Sequence, residues 1–482
     1  MRKLGLILVC LLFVGQVLSQ AKPWNRSKDL FWTTENIASS SNHFVYMNDA
    51  YGLGWWKMGK SNFVFSPLLN YEAASFGKLQ QTGLLGAQLE VQAGEKLYVK
   101  LGAGAGSNQV DQMVYDEYDY EVISNAPYYM FFEKGYDLDA VVSYSPNNIF
   151  NLQAGVGKFH LGNGQRSLLL SDVGRNYPYA ALNTIVWKFK LLNLYQLFKE
   201  EIPTGNLHKF AATHYLSVDL TPNLEFSLFE SVVFQPSDTT WKRGFELEYL
   251  NPLLFYRPAE YGLGSSDNVL LGMNVNYKLG HHLLFGQVVL DDGAVTELIN
   301  RTRWWANKYG VQIGVKGNLL DKKLHYSTEV NAVRPFTYSH LNTSQNYGNR
   351  GFVLAHPAGS NFIESFSKVQ YEYKEKWQFN FTFMHLLRGG ENDMQNLSSG
   401  TNPYQPYTER EDEYGYTIAN GGALRRTRLT LGAQYELVSR IHLVLFVNAI
   451  AMNDRMEQVN NTSFGLQFGV KTNLWKSNSF SF

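Results

Sequence analysis

Apolar residues recur at every second position through most of this chain. Near the C-terminus, Phe464, Leu466, Phe468, Val470, Thr472 and Leu474 alternate with Gly465, Gln467, Gly469, Lys471 and Asn473. A period of two with one oily and one wet face predicts a β-strand. The same phase runs through Leu85, Ala87, Leu89 and Val91 against Gly86, Gln88, Glu90 and Gln92. It returns in Tyr309, Val311, Ile313 and Val315 against Gly310, Gln312, Gly314 and Lys316. Leu324, Tyr326, Thr328 and Val330 likewise alternate with His325, Ser327, Glu329 and Asn331. Runs of roughly ten residues suit a tilted strand crossing about 25 Å of hydrocarbon. Strands of soluble sheets are shorter, about 5–6 residues. No helical apolar period is sustained after the N-terminal segment, which argues against helical repeats.

About 18 strands are predicted on this pattern, starting near residues 62, 83, 96, 137, 149, 181, 190, 209, 223, 267, 281, 309, 323, 363, 377, 425, 440 and 463. Tight turns fall at Gly94-Glu95, Pro146-Asn147-Asn148, Thr221-Pro222, Gly280-His281, Asp321-Lys322, Glu375-Lys376 and Val438-Ser439. Long connections are expected at roughly 72–82, 107–136, 160–179, 235–266, 292–308, 334–362, 389–424 and 451–462 on the same count. Tight turns follow even strands and long connections follow odd ones. That is the asymmetry of outer-membrane barrels, with short periplasmic turns and long external loops. The predicted fold is all-β, a transmembrane antiparallel barrel over residues 61–482 with both termini in the periplasm.

The N-terminus adds a location. Met1-Arg2-Lys3 is a positive start, Leu4–Val17 is an apolar run, and Val17-Leu18-Ser19 offers a cleavage site, so 1–19 reads as a signal peptide. Cys10, the single cysteine, lies inside that run without the flanks of a lipoprotein signal, and the mature chain has no thiol chemistry. Residues 20–60, with Trp24, Trp32, Trp55 and Trp56, read as a periplasmic lead-in or a plug. Mean hydropathy is −0.25, too polar for a helical membrane protein. Lys and Arg number 42 against 42 Asp and Glu, which excludes the basic excess of a nucleic-acid binder. These features place the chain in the outer membrane of a Gram-negative envelope, in contact with its lipid.

Candidate chemistry lies on the long connections. Gly162-Asn163-Gly164-Gln165-Arg166-Ser167-Leu168-Leu169-Leu170-Ser171-Asp172, followed by Arg175-Asn176-Tyr177-Pro178-Tyr179, is glycine-rich but lacks the Lys-Ser/Thr pair and following helix of a phosphate loop. A loop folded into the lumen, its polar groups satisfied by the wall, is the preferred reading. Tyr249-Leu250-Asn251-Pro252-Leu253-Leu254-Phe255-Tyr256-Arg257-Pro258 with Glu260, and Ala355-His356-Pro357, also fall on external connections. Arg166, Asp172, Arg175, Arg257, Glu260 and His356 are therefore candidates for the outer mouth or for polysaccharide contact. Tyr118 and Tyr120, in the crowded run with Tyr115, Tyr128 and Tyr129, suit either sugar stacking or the aromatic girdle. Trp304-Trp305 is expected in the girdle. The acidic run Glu409, Glu411, Asp412, Glu413 lacks the glycine-centred spacing of a calcium loop. No serine stands in a nucleophile elbow and no His/Asp/Glu set has metal-ligand spacing. No catalytic group, metal or cofactor is expected.

The glycine-rich stretch ending in Asn-Tyr-Pro-Tyr resembles a signature of the Wzi-like capsule-assembly barrels, and most closely the group of the gliding-motility protein RemB. Phe229-Glu230-Ser231-Val232-Val233-Phe234, the Tyr-Leu-Asn-Pro run, Ser265-Ser266-Asp267-Asn268-Val269-Leu270-Leu271-Gly272 and the Ala-His-Pro segment are similar to that group as well. The resemblance covers roughly residues 150–390. It implies a non-enzymatic barrel of about 18 strands that retains or organises capsule or exopolysaccharide, or supports gliding and surface-adhesin display. A diffusion porin or solute channel is the alternative, since the inward set is polar and glycine-rich. The terminal strand ending in Phe482 resembles the signal read by the barrel-assembly machinery. No nucleic-acid partner is expected.

Overall fold

The computed structural model describes residues 54–58, 60–76, 79–109, 134–202, 205–236, 247–251, 267–390, 397–419, 424–456 and 459–472. The segments expected to be a signal peptide and, up to residue 53, a lead-in or plug lie outside them. Along the chain come β1 (Gly54–Met58), β2 (Ser61–Ser75), β3 (Leu79–Ala93), β4 (Leu97–Gln109), β5 (Lys134–Tyr144), β6 (Phe150–Gly157) and β7 (Tyr177–Val186). Next are β8 (Phe189–Ile202), β9 (Gly205–Thr221), β10 (Leu224–Phe234), β11 (Asn268–Leu279), β12 (His282–Asp292), β13 (Lys308–Leu319) and β14 (Leu324–Val333). A small hairpin, β15 (Gly348–Asn349) and β16 (Phe352–Val353), precedes β17 (Phe362–Tyr373), β18 (Trp377–Arg388), β19 (Leu424–Val438), β20 (Leu443–Met456) and β21 (Val459–Thr472).

Eighteen of these strands, β2–β14 and β17–β21, pair antiparallel with their neighbours. The ring closes where β2 meets β21, from Asn70↔Lys471 to Ser75↔Leu466. The last strand thus pairs with the second part of β2, from Asn70 onward. The other half is taken by β1, from Gly54↔Phe65 to Met58↔Ser61. The terminal segment 473–482, including Phe482, lies outside the described residues.

Burial is inverted relative to a water-soluble sheet. Outward Leu85, Ile313, Leu431 and Phe464 are 62–74% exposed, while inward Lys209, Gln287, Asn331 and Glu364 are at most 1% exposed. Only a hydrocarbon solvent makes that distribution favourable. Left-handed Gly94 and Gly280 (φ 60° and 59°) make the tight turns after β3 and β11 without a Cβ penalty.

Two expected long connections are short. β2 and β3 are joined by residues 76–78, and β20 and β21 by 457–458. Their strands run on past the regular apolar alternation, and at the β20–β21 end polar side chains continue the pairing. Asn453 donates through Nδ2 to Asn460 Oδ1 (2.8 Å) and Thr462 Oγ1 (2.7 Å). The period of two disappears there because both faces are wet. The other expected long connections are present, and three of them fold inward.

A charge on the lipid face should be costly. Leu431→Arg, at the middle of β19, is expected to lose about 2–4 kcal/mol, read as a lowered urea midpoint in vesicles, while Leu431→Phe should leave the midpoint almost unchanged.

Candidate functional site

Residues 158–176 leave β6, descend into the lumen and return to β7. Gly162 has φ 103°, and a Cβ there would collide with the side chain of Gln287. The glycine thus sets both the reversal and the close approach to the wall. Gln287 Nε2 donates to Leu161 O (2.9 Å), and its Oε1 accepts from Leu168 N (2.9 Å). Glu329 accepts from two successive backbone amides, Gln165 N (2.6 Å) and Arg166 N (2.9 Å). Gln312 Nε2 donates to Arg166 O (3.0 Å), and Lys316 Nζ donates to Asn163 Oδ1 (2.7 Å). Wall side chains thus satisfy backbone groups that no strand partner reaches.

Beyond this polar collar the loop is apolar. Leu168, Leu169 and Leu170 are fully buried in a cluster with Tyr177, Tyr338, Tyr347, Val353, Leu354 and Phe362. Tyr338 and Tyr347 donate their hydroxyls to Leu168 O and Leu169 O, each at 2.8 Å. The facing wall is carved to fit, since a Cβ on Gly272 would strike Leu169. This part of the lumen is a packed core.

The connection 334–361 supplies the second layer. Lys209 donates to Asn346 Oδ1 (2.6 Å) and pairs with Glu200 (3.0 Å). His356 Nδ1 accepts from Ala358 N (3.1 Å), so Nε2 carries the proton that reaches Glu364 Oε2 at 2.8 Å. Arg166 approaches the same carboxylate from the first loop, Nε at 3.7 Å from Oε1, with its guanidinium 4.9 Å from the Phe366 ring centre. Asn331 Nδ2 donates to both Glu364 Oε2 (3.0 Å) and Glu329 Oε1 (3.3 Å). Arg166 and His356, expected at the mouth, therefore converge on one buried carboxylate, themselves 7% and 0% exposed.

Asp172 sits beside His160 (3.5 Å) and Arg175 lies over the Phe352 ring at 5.5 Å. Arg257, Glu260, Tyr118 and Tyr120 fall outside the described residues. Glu329, Glu364, Gln287 and Gln312 went unselected in the sequence. Their signal was their inward phase in mid-strand beside connections bearing Arg and His.

The third connection, 389–423, caps the other two. Asn361 Nδ2 donates to Thr401 Oγ1 (2.8 Å), and Ser360 Oγ to Gly400 O (2.7 Å). Arg334 ties three connections together, through Asn307 O (2.7 Å), Trp304 O (3.1 Å) and Tyr416 O (3.3 Å). Trp305 corrects the girdle expectation. Its ring meets Tyr407 at 4.8 Å and Phe336 at 5.9 Å, and the Arg410 guanidinium lies 4.2 Å from its centre. It belongs to the cap. Burial and the nearby Lys308 ammonium lower the pKa of His340 in this layer to about 4, so it stays neutral near pH 7. A hydrogen bond from Arg410, supported by those from Trp305 and Trp304, holds the Glu413 carboxyl below its usual range.

No family model and no curated protein matches the sequence. Among solved structures the chain is similar to Wzi of Escherichia coli, an outer-membrane protein involved in group 1 capsule assembly and described as a carbohydrate-binding β-barrel. The TM-score is 0.55 at 12% identity, over 86% of this chain and 85% of that one. It is also similar to OprD of Pseudomonas aeruginosa, with TM-score 0.48 and 10% identity over 88% and 97% of the two chains. Likeness at these identities is one of fold. The chain is a closed barrel of the outer-membrane type whose loops fold into its own lumen.

Glu329→Ala would leave two buried amides unanswered at about 1–3 kcal/mol each. A urea midpoint lowered by more than that of Glu329→Gln, which keeps an accepting oxygen, is expected.

Proposed function

We propose that this protein is a non-enzymatic barrel of the Gram-negative outer membrane that holds or organises polysaccharide at the cell surface. The carrying observation is the use made of the lumen. Inward polar groups of β12, β13, β14 and β17 bind loop backbone and loop side chains, and an apolar cluster that takes in Leu168, Leu169, Leu170, Tyr338 and Tyr347 lies behind them. A solute path needs a wet, continuous lining, and a packed interior works against one. The fold shared with Wzi, itself a carbohydrate-binding barrel, supports the same reading. The motif resemblance to the RemB group extends the proposal to gliding or adhesin display, which require surface polymer to be anchored or moved. In this reading the long connections arise from the cell-surface rim of the barrel, the terminal segment ending in Phe482 engages the assembly machinery, and Asp172 and Arg175 stand on the polymer side of the plug.

A solute channel is the second reading. It rests on small and polar inward residues away from the plug, such as Gly104 and Asn448. The polar groups of that wall already pair with one another, as in Lys100–Asp139 (2.6 Å) and Gln88 to Glu90 (2.6 Å).

A deletion strain is expected to shed surface polysaccharide or to stop spreading while solute uptake is unchanged. Purified protein in planar bilayers is expected to give no steady conductance. Large, stable pores together with intact capsule and motility would replace this reading with the channel.

A further inference from the structure

The lipid-facing side of the wall changes character at one end of β19, β20 and β21. Outward residues run Leu431, Leu429, Thr427, Arg425 on β19 and Ala449, Ala451, Asn453, Arg455 on β20. On β21 they run Leu466, Phe464, Thr462, Asn460. The register aligns them, with Leu429↔Ala451↔Phe464 as the last apolar rung and Arg425↔Arg455↔Asn460 beyond it. That end is the rim from which the connection 389–423 rises. Arg425 and Arg455 stand directly opposite each other, and both are exposed. Side chains so opposed have Cβ atoms about 5 Å apart, and like charges there repel. The inward neighbour Arg426 is answered within the wall, its Nε and Nη2 donating to Asp454 Oδ1 and Oδ2 at 2.9 Å each. Among the described residues no carboxylate answers the outward pair. The rung between is occupied with itself. Asn453 donates to Asn460 and Thr462, and His385 Nδ1 shares a hydrogen bond with Thr427 Oγ1 (2.8 Å).

Below the pair the wall is furrowed. Ala449 lies between Leu431 and Leu466, and Ala451 between Leu429 and Phe464. Short side chains flanked by long ones leave a shallow apolar channel along β20 that leads up to Arg455. From Leu429 to Arg425 is about 13 Å of strand, or about 10 Å of height at a tilt near 40°. A long arginine stem can reach back across part of that distance to the edge of the hydrocarbon. We propose that Arg425 and Arg455 clamp a headgroup phosphate of an outer-leaflet glycolipid, with one acyl chain laid in the alanine furrow of β20. This goes beyond the polysaccharide reading, since it needs the barrel to sit in the outer membrane and nothing of what the lumen holds. Two guanidinium forks match the oxygens of a phosphate, whose charge offsets the repulsion between the arginines. A lipid is the source of that phosphate, because the pair lies on the face turned to the bilayer and the furrow beneath it is apolar.

The test titrates the full-length protein in detergent with lipid A carrying its phosphates and with the same lipid A after dephosphorylation. Wild type should bind the phosphorylated form about tenfold more tightly or better. Arg425→Gln with Arg455→Gln should abolish that preference. Arg425→Lys with Arg455→Lys, which keeps the charge and loses the fork, should retain part of it. Ala449→Leu with Ala451→Leu fills the furrow and should weaken both forms alike, by about threefold or more. Heat-modifiable mobility on gels confirms that each variant is a folded barrel. Equal binding of the two lipids by wild type, or a phosphate preference that survives in the glutamine variant, would overturn the clamp. Unchanged binding by the leucine variant would overturn the furrow. A glutamine variant that keeps the lipid preference and instead loses binding of the cells' own surface polysaccharide would assign the pair to the polymer and overturn the lipid.

Discussion

An eighteen-strand wall encloses more space than its own inward side chains can fill. Eight strands make a barrel that side chains can close, while sixteen or more leave a channel for water or need a plug. Every polar group turned into that space must find water or a partner, because an unanswered group costs as much as several good contacts return. Here much of the wall finds its partner in the chain's own connections. Glu329 takes two consecutive amides of the descending loop, and Gln287 takes a carbonyl on one side and gives an acceptor on the other. The same groups that would solvate a pore become the sockets of a plug.

The polar sockets explain why the plug can have an apolar interior. Leu168–Leu170 would be unfavourable in a wet channel, but Gln287 answers Leu168 N, Tyr338 and Tyr347 answer the carbonyls of Leu168 and Leu169, and Leu161 N answers that of Leu170. With the backbone satisfied, the leucines pack as they would in a soluble core. Glu364 shows the same economy with charge. A single buried carboxylate receives Arg166 from one connection, His356 from another and Asn331 from the wall, so the two loops are held to the strand and to each other. A carboxylate buried this completely is tolerated only because it is answered from three sides.

The wall was legible in the sequence because alternation in a strand is a local property. Each residue's face follows from its neighbours, so the eighteen strands, and the inward phase of Glu329 and Asn331, could be read without knowing the fold. The connections at 76–78 and 457–458 were misjudged because pairing outlasts the hydrocarbon. Asn453 and Asn460 still bond where no apolar face marks the strand. The inward fold of the glycine-rich loop could be anticipated, since its glycines and lone Arg lacked any other context. The meeting of Arg166 with Glu364 and His356 could not. It depends on barrel curvature and on where a connection re-enters the lumen, and nothing local in either stretch encodes the distance. Trp305 was assigned to the girdle for a related reason, because a tryptophan at a membrane interface and one inside a loop cap have the same neighbours in sequence.

That tryptophan links the outermost surface to the deepest part of the plug. Arg410 lies over Trp305, Trp305 meets Tyr407, and the Lys308 ammonium sits 5.1 Å from the centre of the Tyr407 ring. Lys308 pairs with Asp291 at 3.1 Å, Asp291 accepts from Tyr338 N at 2.7 Å, and Tyr338 holds Leu168. Each contact is modest. In sequence they join the exposed cap to the leucine core through one connected set of side chains, three of them charged and two in a buried ion pair. A cap that merely shielded the lumen would need no such continuity. Under the proposed polysaccharide role such continuity would have a use, because force on an exposed loop is resisted only if it is passed to elements anchored in the wall. The Asp291–Lys308 pair is where this set of contacts reaches the wall. Both residues belong to strands, β12 and β13, whose hydrogen-bond ladders run the depth of the membrane.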